Sequence, residues 1–96
     1  FRERFPALRP ADRQSLLDDP SIAVVCSAAI PADRAALAVA AMRAGKDVMV
    51  DKPGVTTRED LAVVERAVAE TGRIFSICFS ERFVVPATEV ATALVR

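Results

Sequence analysis

The sequence predicts an α/β fold in which a parallel β-sheet is flanked by helices. Three short segments, residues 22–26, 48–50 and 74–79, are largely apolar and rich in β-branched or aromatic side chains. Stretches with the apolar spacing of helices separate them, and two of these stretches end at a glycine. Such strands are typical of parallel sheets, because helices cover both faces of a parallel sheet.

A short helix comes first, and the first strand follows it. The helix is predicted to begin near Ala11, after Pro10, and to end at Leu17. Residues 18–20 (Asp-Asp-Pro) interrupt it, because the residue before a proline disfavours helical backbone. Residues 22–26 (I-A-V-V-C) then form a strand that we expect to be covered on both faces.

The second helix is predicted to begin at Pro31 or Ala32 and to end before Gly45. A glycine suits the left-handed backbone conformation just past a helix end. Residues 48–50 (V-M-V) form the second strand. Four residues at helical spacing are expected to face the sheet: Leu37, Ala40, Ala41 and Ala44.

A third helix, a third strand and a last helix complete the pattern. Thr56 and Glu59 have the spacing of a capping box, and Gly72 ends the helix that they begin. Residues 74–79 form the third strand, and Pro86 is expected to open the last helix. The inward positions are predicted to be Leu61, Val64, Val68 and Thr71 in the third helix, and Val90, Ala93 and Leu94 in the last.

The alternation of strands and helices indicates parallel strands joined by right-handed crossovers, as in a Rossmann-like sheet. The first apolar strand has no obvious partner earlier in the sequence, although such strands normally have neighbours on both edges. We therefore expect residues 1–96 to form one partial domain, the later half of a Rossmann-like fold that lacks at least one central strand.

Composition excludes several classes of protein. The chain has 13 basic and 13 acidic residues, and this balance argues against nucleic acid or an anionic membrane as a partner. Its longest apolar stretch, residues 22–31, is about half the ~20 residues that span a bilayer. Cys26 and Cys78 are expected to be buried thiols in a reducing cytoplasm, and without histidine we expect no metal site.

Ligands of open parallel sheets bind at the carboxyl ends of the strands, where the sequence has three candidate loops. The most informative is residues 51–54, where Asp51, Lys52 and Pro53 directly follow a strand. A lysine at this position is able to hold a ribose hydroxyl, polarise a substrate carbonyl or exchange a proton. An ordinary polar turn accounts for the same residues, and spacing alone favours that interpretation.

The other two loops also admit two interpretations. Ser27, Ala28, Ala29 and Pro31 belong to a loop whose small side chains would let a flat ligand approach the backbone, or which simply leads into a helix. Arg82, in residues 80–83, can bind a phosphate or carboxylate, or contact a neighbour or solvent. The chain contains no G-x-G-x-x-G, so no phosphate-binding glycine loop is identified in it.

Two segments of the chain resemble a known family. Residues 23–27 (A-V-V-C-S), followed by residues 44–53 (A-G-K-D-V-M-V-D-K-P), are similar to the Gfo/Idh/MocA oxidoreductases, the relatives of glucose–fructose oxidoreductase and inositol dehydrogenase. The resemblance extends over roughly residues 16–90 and ends with the Arg-Phe pair after the third strand. It implies a two-domain, often oligomeric enzyme that uses NAD or NADP on sugars, inositols or related polyols.

The resemblance also implies roles for individual residues. Lys52 would lie near the nicotinamide ribose and the substrate and would act in catalysis. The residues implied to bind the cofactor are Ser27, Ala28, Ala29, Pro31, Asp51, Lys52, Pro53 and Arg82.

The chain departs from the family pattern at two positions. Asp51 replaces the commoner glutamate, and the first loop reads Ser-Ala-Ala-Ile-Pro instead of Thr-Pro-Asn, so we expect its cofactor contacts to be mainly through the backbone. The family's glycine loop and its second, histidine-bearing domain are expected outside residues 1–96. A non-enzymatic nucleotide-binding or protein-interaction module of the same fold is the alternative function, and a flavodoxin-like receiver is the least favoured.

Overall fold

A computed structural model describes residues 3–83 and 85–95, and the side chains of residues 83–88 fall outside that description. It confirms the α/β fold. The elements in chain order are α1 (Arg13–Asp18), β1 (Val24–Ser27), α2 (Pro31–Arg43), β2 (Asp47–Asp51), α3 (Arg58–Thr71), β3 (Phe75–Cys78), a 3₁₀ helix (Ser80–Phe83) and α4 (Val85–Val95).

The three described strands form one parallel sheet in the order β1-β2-β3. Val25 lies beside Val48 and Val48 beside Phe75, so these three side chains share one face of the sheet. Val48 and Val50 are 2% and 1% exposed. This face packs against α2 and α3, which also contact each other.

The opposite face is open within the described residues, contrary to the expectation of strands covered on both sides. Val24 is 51% exposed, Met49 is 42% exposed, and Cys26 is exposed where a buried thiol was predicted. Cys78 is half-buried, and both cysteines are free. The physical reason is topological: successive right-handed crossovers that advance in one direction put their helices on the same face.

The inward face of α2 differs from the predicted one. Ala40 and Ala44 are exposed, and Ala41 is the only fully buried member of the predicted set, with Leu37 half-buried. Alanine occurs all around this helix, so the apolar spacing fits more than one face. The buried residues of the helix are Arg34, Ala35, Ala38, Val39, Ala41 and Met42.

The start of α3 lies one residue later than the predicted capping box. Thr57, with extended backbone, is the N-cap, and its hydroxyl accepts a hydrogen bond from the Asp60 amide at 3.0 Å. The Thr56 hydroxyl contacts only the Asp60 carboxylate, at 3.4 Å. At the other end, Gly72 has the predicted left-handed conformation, with φ of 65°.

Two helices expose residues that were expected to face inward. In α3, Val64 and Ala67 are buried, whereas Leu61 is 44% exposed. In α4, which begins at Val85, Val90 and Leu94 are 61% and 82% exposed. Within the described residues, α4 packs mainly against the 3₁₀ helix, so the sheet does not bury these side chains.

A buried lysine joins the segment that precedes β1 to the start of β2. Lys46 is 4% exposed, and its ammonium donates a hydrogen bond to the Asp19 carbonyl. Beside it, the Asp47 amide donates to the Ala23 carbonyl at 2.9 Å. Hydrogen bonds from Ser21, and more weakly the Lys46 charge, lower the pKa of the Asp19 carboxyl.

The turn after β2 packs tightly against β3. Gly54 is buried, and a Cβ atom at this position would overlap the Cδ1 and Cγ1 atoms of Ile77. The absence of a side chain at Gly54 therefore lets residues 51–54 lie close to the sheet.

We predict that Thr57→Ala lowers the free energy of unfolding by about 1 kcal/mol, because the first turn of α3 loses the acceptor for the Asp60 amide. The measurement is the urea denaturation midpoint of the full-length protein. Thr56→Ala is the matched control and should have a much smaller effect. Equal losses for the two variants would contradict the assignment of Thr57 as the cap.

We predict that Gly54→Ala destabilises the protein by roughly 1–3 kcal/mol, because the added methyl group overlaps Ile77. The same substitution in an Ile77→Ala background should cost less, since truncation makes room for the methyl group. Denaturation midpoints of the two single variants and the double variant measure this coupling. Strict additivity would show that the Ile77 contact is not the cause.

Candidate functional site

A cleft of about 320 Å³ lies at the carboxyl ends of the strands. Its apolar floor comes from the open face of the sheet, and its polar rim comes from the residues that end β1 and β2. The lining residues are Cys26, Ser27, Ala28, Met49, Val50, Asp51 and Cys78. The sequence predicted a ligand site at this edge, and the structure brings Ser27, Ala28 and Asp51 to the same cleft.

Residues 27–31, the first loop, are held by short-range contacts. The Ser27 hydroxyl accepts a hydrogen bond from the Ala29 amide at 3.3 Å, which turns the chain away from β1. Pro31 is the first residue of α2, where a proline suits the helix because that amide has no helical acceptor. The loop therefore brings the small side chains of Ser27 and Ala28 to the cleft, while its large apolar residue, Ile30, is 65% exposed and does not line it.

Residues 51–54, the lysine turn, follow β2 directly. The Asp51 carboxylate accepts a hydrogen bond from the Lys52 amide at 2.8 Å, and the Lys52–Pro53 peptide is cis. The Lys52 side chain is exposed, and its ammonium has no hydrogen-bond or ion-pair partner in residues 3–83 and 85–95. An ammonium without a partner has its full donor capacity for a ligand.

A buried arginine, Arg34, connects the two loops, and the sequence interpretation missed it. Its side chain is 6% exposed and lies in the first turns of α2. Nε donates to the Ala29 carbonyl at 2.7 Å, and Nη1 donates to the carbonyls of Asp51 and Pro53, both at 2.7 Å. Nη2 lies 3.9 Å from the Asp51 carboxylate.

The sequence contains a signal for a buried arginine at position 34, but it can be recognised only once the inward face of α2 is known. Arg34, Ala38 and Ala41 stand at helical spacing on that face, so the pattern contains an arginine at a core position. A buried guanidinium needs acceptors, and carbonyl groups at strand ends supply them.

The third candidate loop is separate from the cleft lining. Arg82 lies in the 3₁₀ helix Ser80–Phe83, and its amide donates to the Phe79 carbonyl at 3.0 Å. It is exposed and is not among the residues that line the cleft. The Phe83 side chain falls outside the described residues.

The described part of the chain has no group of three or more His, Cys, Asp or Glu side chains arranged to hold a metal ion. None of its helices combines the length and apolar character of a membrane-crossing segment. Asp51 is the charged residue that lines the cleft, the Arg34 guanidinium lies 3.9 Å from its carboxylate, and Lys52 follows it in the chain.

Comparison with solved structures finds close likeness in fold. The chain superposes on a protein from Erwinia carotovora atroseptica assigned to the oxidoreductases, with a TM-score of 0.88 and 44% identity, over 99% of this chain and 29% of that one. It also resembles biliverdin reductase from Synechocystis, solved with biliverdin and NADP+ (TM-score 0.75, 29% identity, 85% of this chain, 26% of that one). Levoglucosan dehydrogenase is a third protein of similar structure (TM-score 0.68, 33% identity, 76% of this chain, 19% of that one).

The chain thus spans less than a third of the length of these solved proteins. None of the curated proteins matches its sequence. Residues 1–79 match the family model described as an oxidoreductase family with an NAD-binding Rossmann fold. This match covers most of the chain, including both loops at the cleft, and the chain therefore belongs to the Gfo/Idh/MocA oxidoreductase family.

Proposed function

We propose that this chain is the later half of the nucleotide-binding domain of an NAD(P)-dependent oxidoreductase. The enzyme transfers a hydride between the nicotinamide and a carbon bearing a hydroxyl group in a sugar, inositol or related polyol. The observation that carries the proposal is the cleft at the ends of β1 and β2, together with Lys52, which directly follows the cleft residue Asp51 and whose ammonium has no hydrogen-bond or ion-pair partner among the described residues.

The residues of the cleft suit a nicotinamide nucleotide. A volume of about 320 Å³ with an apolar floor accepts a flat ring, and small side chains at Ser27 and Ala28 let it approach the backbone. The Asp51 carboxylate, which is 51% exposed, is able to accept hydrogen bonds from ribose hydroxyl groups. When bound, the nicotinamide supplies or accepts the hydride.

The first loop and the lysine turn have different tasks in this proposal. Ser27, Ala28, Ala29 and Pro31 border the dinucleotide, mainly through backbone groups, and Asp51 and Pro53 hold the turn that carries Lys52. Arg82 is proposed as a more distant contact to a phosphate or carboxylate, because its guanidinium suits such groups but lies outside the cleft lining.

Lys52 acts on the oxygen of the substrate. Oxidation of an alcohol removes a hydride from carbon and a proton from oxygen, and the amine of Lys52 orients that oxygen and takes part in the proton transfer. In the reverse direction its ammonium donates a hydrogen bond to the carbonyl oxygen and so stabilises the negative charge that develops there.

The open face of the sheet supports a partial domain. Val24 and Met49 expose apolar surface there, and β1 has an unpaired edge within the described residues. Further strands and helices of a doubly wound sheet would cover both. We extend the proposal to a second, substrate-binding domain and a homo-oligomer, in the cytoplasm, where the two free cysteines stay reduced.

We predict that the full-length protein binds NADH or NADPH, measured by the change in nicotinamide fluorescence on titration. Ala28→Phe should weaken the affinity by about tenfold or more, because the ring fills the cleft. Ala36→Phe, on the exposed side of α2, is the matched control and should leave the affinity unchanged. The proposal fails if neither nucleotide binds.

We predict that Lys52→Met lowers kcat by roughly 10²–10⁴-fold, since the variant keeps the side-chain length and loses the proton-transfer group. The affinity for the nucleotide should change much less. Arg66→Met, at an exposed position on α3, is the control for loss of a surface charge. Steady-state kinetics with a panel of sugars and polyols provide the measurement, and wild-type turnover in Lys52→Met would refute the role of Lys52.

A further inference from the structure

Among the described residues, the Arg34 side chain bonds only to the two loops that flank the cleft. Its three hydrogen-bond acceptors are the main-chain carbonyls of Ala29, Asp51 and Pro53, each at 2.7 Å. Ala29 belongs to the first loop, and the other two belong to the lysine turn. One rigid guanidinium therefore sets the spacing between two loops that are about twenty residues apart in sequence.

The two acceptors in the lysine turn lie on either side of Lys52. The Asp51 carbonyl is in the peptide that precedes Lys52, and the Pro53 carbonyl follows it by one residue. Both are bound to the same Nη1 atom, so the backbone that carries Lys52 is held at two points. The Lys52 side chain makes no hydrogen bond or ion pair with the described residues, so no polar contact of its own opposes the direction that the backbone gives it.

Because the Arg34 guanidinium is buried, the loss of its hydrogen bonds would be costly. The Arg34 side chain is 6% exposed, and a charge removed from water needs hydrogen-bond partners in full. Among the described residues, the carboxylate within 4 Å of it is that of Asp51, at 3.9 Å and itself 51% exposed. The carbonyl oxygens are thus the main compensation for the buried charge, and each fixes a position of the chain.

We propose that Arg34 is a positioning residue that holds the first loop and the lysine turn in register, and that it acts on the reaction through Lys52. The inference rests on the proposed function of Lys52. Loss of Arg34 releases both loops, so it impairs the placement of the Lys52 amine as well as the border of the nucleotide cleft.

The test compares Arg34→Met and Arg34→Lys with Arg43→Met in the full-length protein. Arg43 lies on the same helix but is 60% exposed and pairs with Glu70 at 3.5 Å, so it controls for loss of a helix arginine. We expect Arg34→Met to lower kcat by about 100-fold, the loss typical of a catalytic group displaced by about 1 Å. Arg34→Lys should recover part of the loss, since an ammonium still donates to some of the carbonyls.

A double-mutant cycle with Lys52→Met separates positioning from general structural support. If Arg34 acts through Lys52, Arg34→Met lowers kcat further by less than about twofold when Lys52 is already replaced. Equal losses in the two backgrounds would overturn the proposal. Should Arg34→Met fail to fold, Arg34→Lys takes its place in the cycle, with the same two outcomes.

Amide hydrogen exchange provides a readout that does not depend on turnover. We expect exchange at residues 29, 52 and 54 to accelerate by at least about tenfold in Arg34→Met, while the amides of β2 keep their protection. Unchanged exchange in both loops would overturn the proposal. If Lys52→Met retained wild-type turnover, the proposed function of Lys52 would fail, and the exchange data alone would then decide whether Arg34 holds the loops.

Discussion

The arrangement of the site depends on one buried cation. The Arg34 guanidinium lies between the ends of β1 and β2 and donates to three carbonyl oxygens there, two in the lysine turn and one in the first loop. Parallel pairing alone brings the strand ends to one edge of the sheet, but it does not set the paths of the loops that leave them. Arg34 fixes those paths, and with them the cleft between the loops.

A second buried cation acts at the opposite end of the same strands. Lys46 binds the Asp19 carbonyl and joins the segment before β1 to the start of β2. The strand pair is thus secured at both ends by side chains whose charge is compensated mainly by backbone oxygen atoms. Arg34 lies on the inward face of α2, near its start, and Lys46 lies just past the end of the same helix.

The sequence predicted the elements and the family, because continuous apolar strands, helix-ending glycines and the A-G-K-x-V-x-x-D-K-P segment are local signals. It also indicated that the loops after β1 and β2 meet. It misassigned the inward face of α2, because alanine fits either side of a helix and Ala40 looks no different from Ala38. The shifted cap of α3 has a similar origin, since Thr56 and Thr57 are adjacent and only the backbone geometry selects between them.

The inward face of α2 identifies Arg34 as a buried arginine, but the sequence could not identify its acceptors, because they are main-chain oxygens that every residue type carries. Every amino acid carries a carbonyl oxygen, so a change of side chain at Ala29 or Asp51 leaves the carbonyl acceptors of Arg34 in place, although at Asp51 it alters the carboxylate that lies 3.9 Å from the guanidinium. A loop that reads Ser-Ala-Ala-Ile-Pro and a turn that begins with aspartate in place of glutamate are therefore compatible with an unchanged placement of Lys52. In this chain the hydrogen bonds that Arg34 makes to the two loops therefore depend on the path of the backbone and not on the side chains of the residues that accept them.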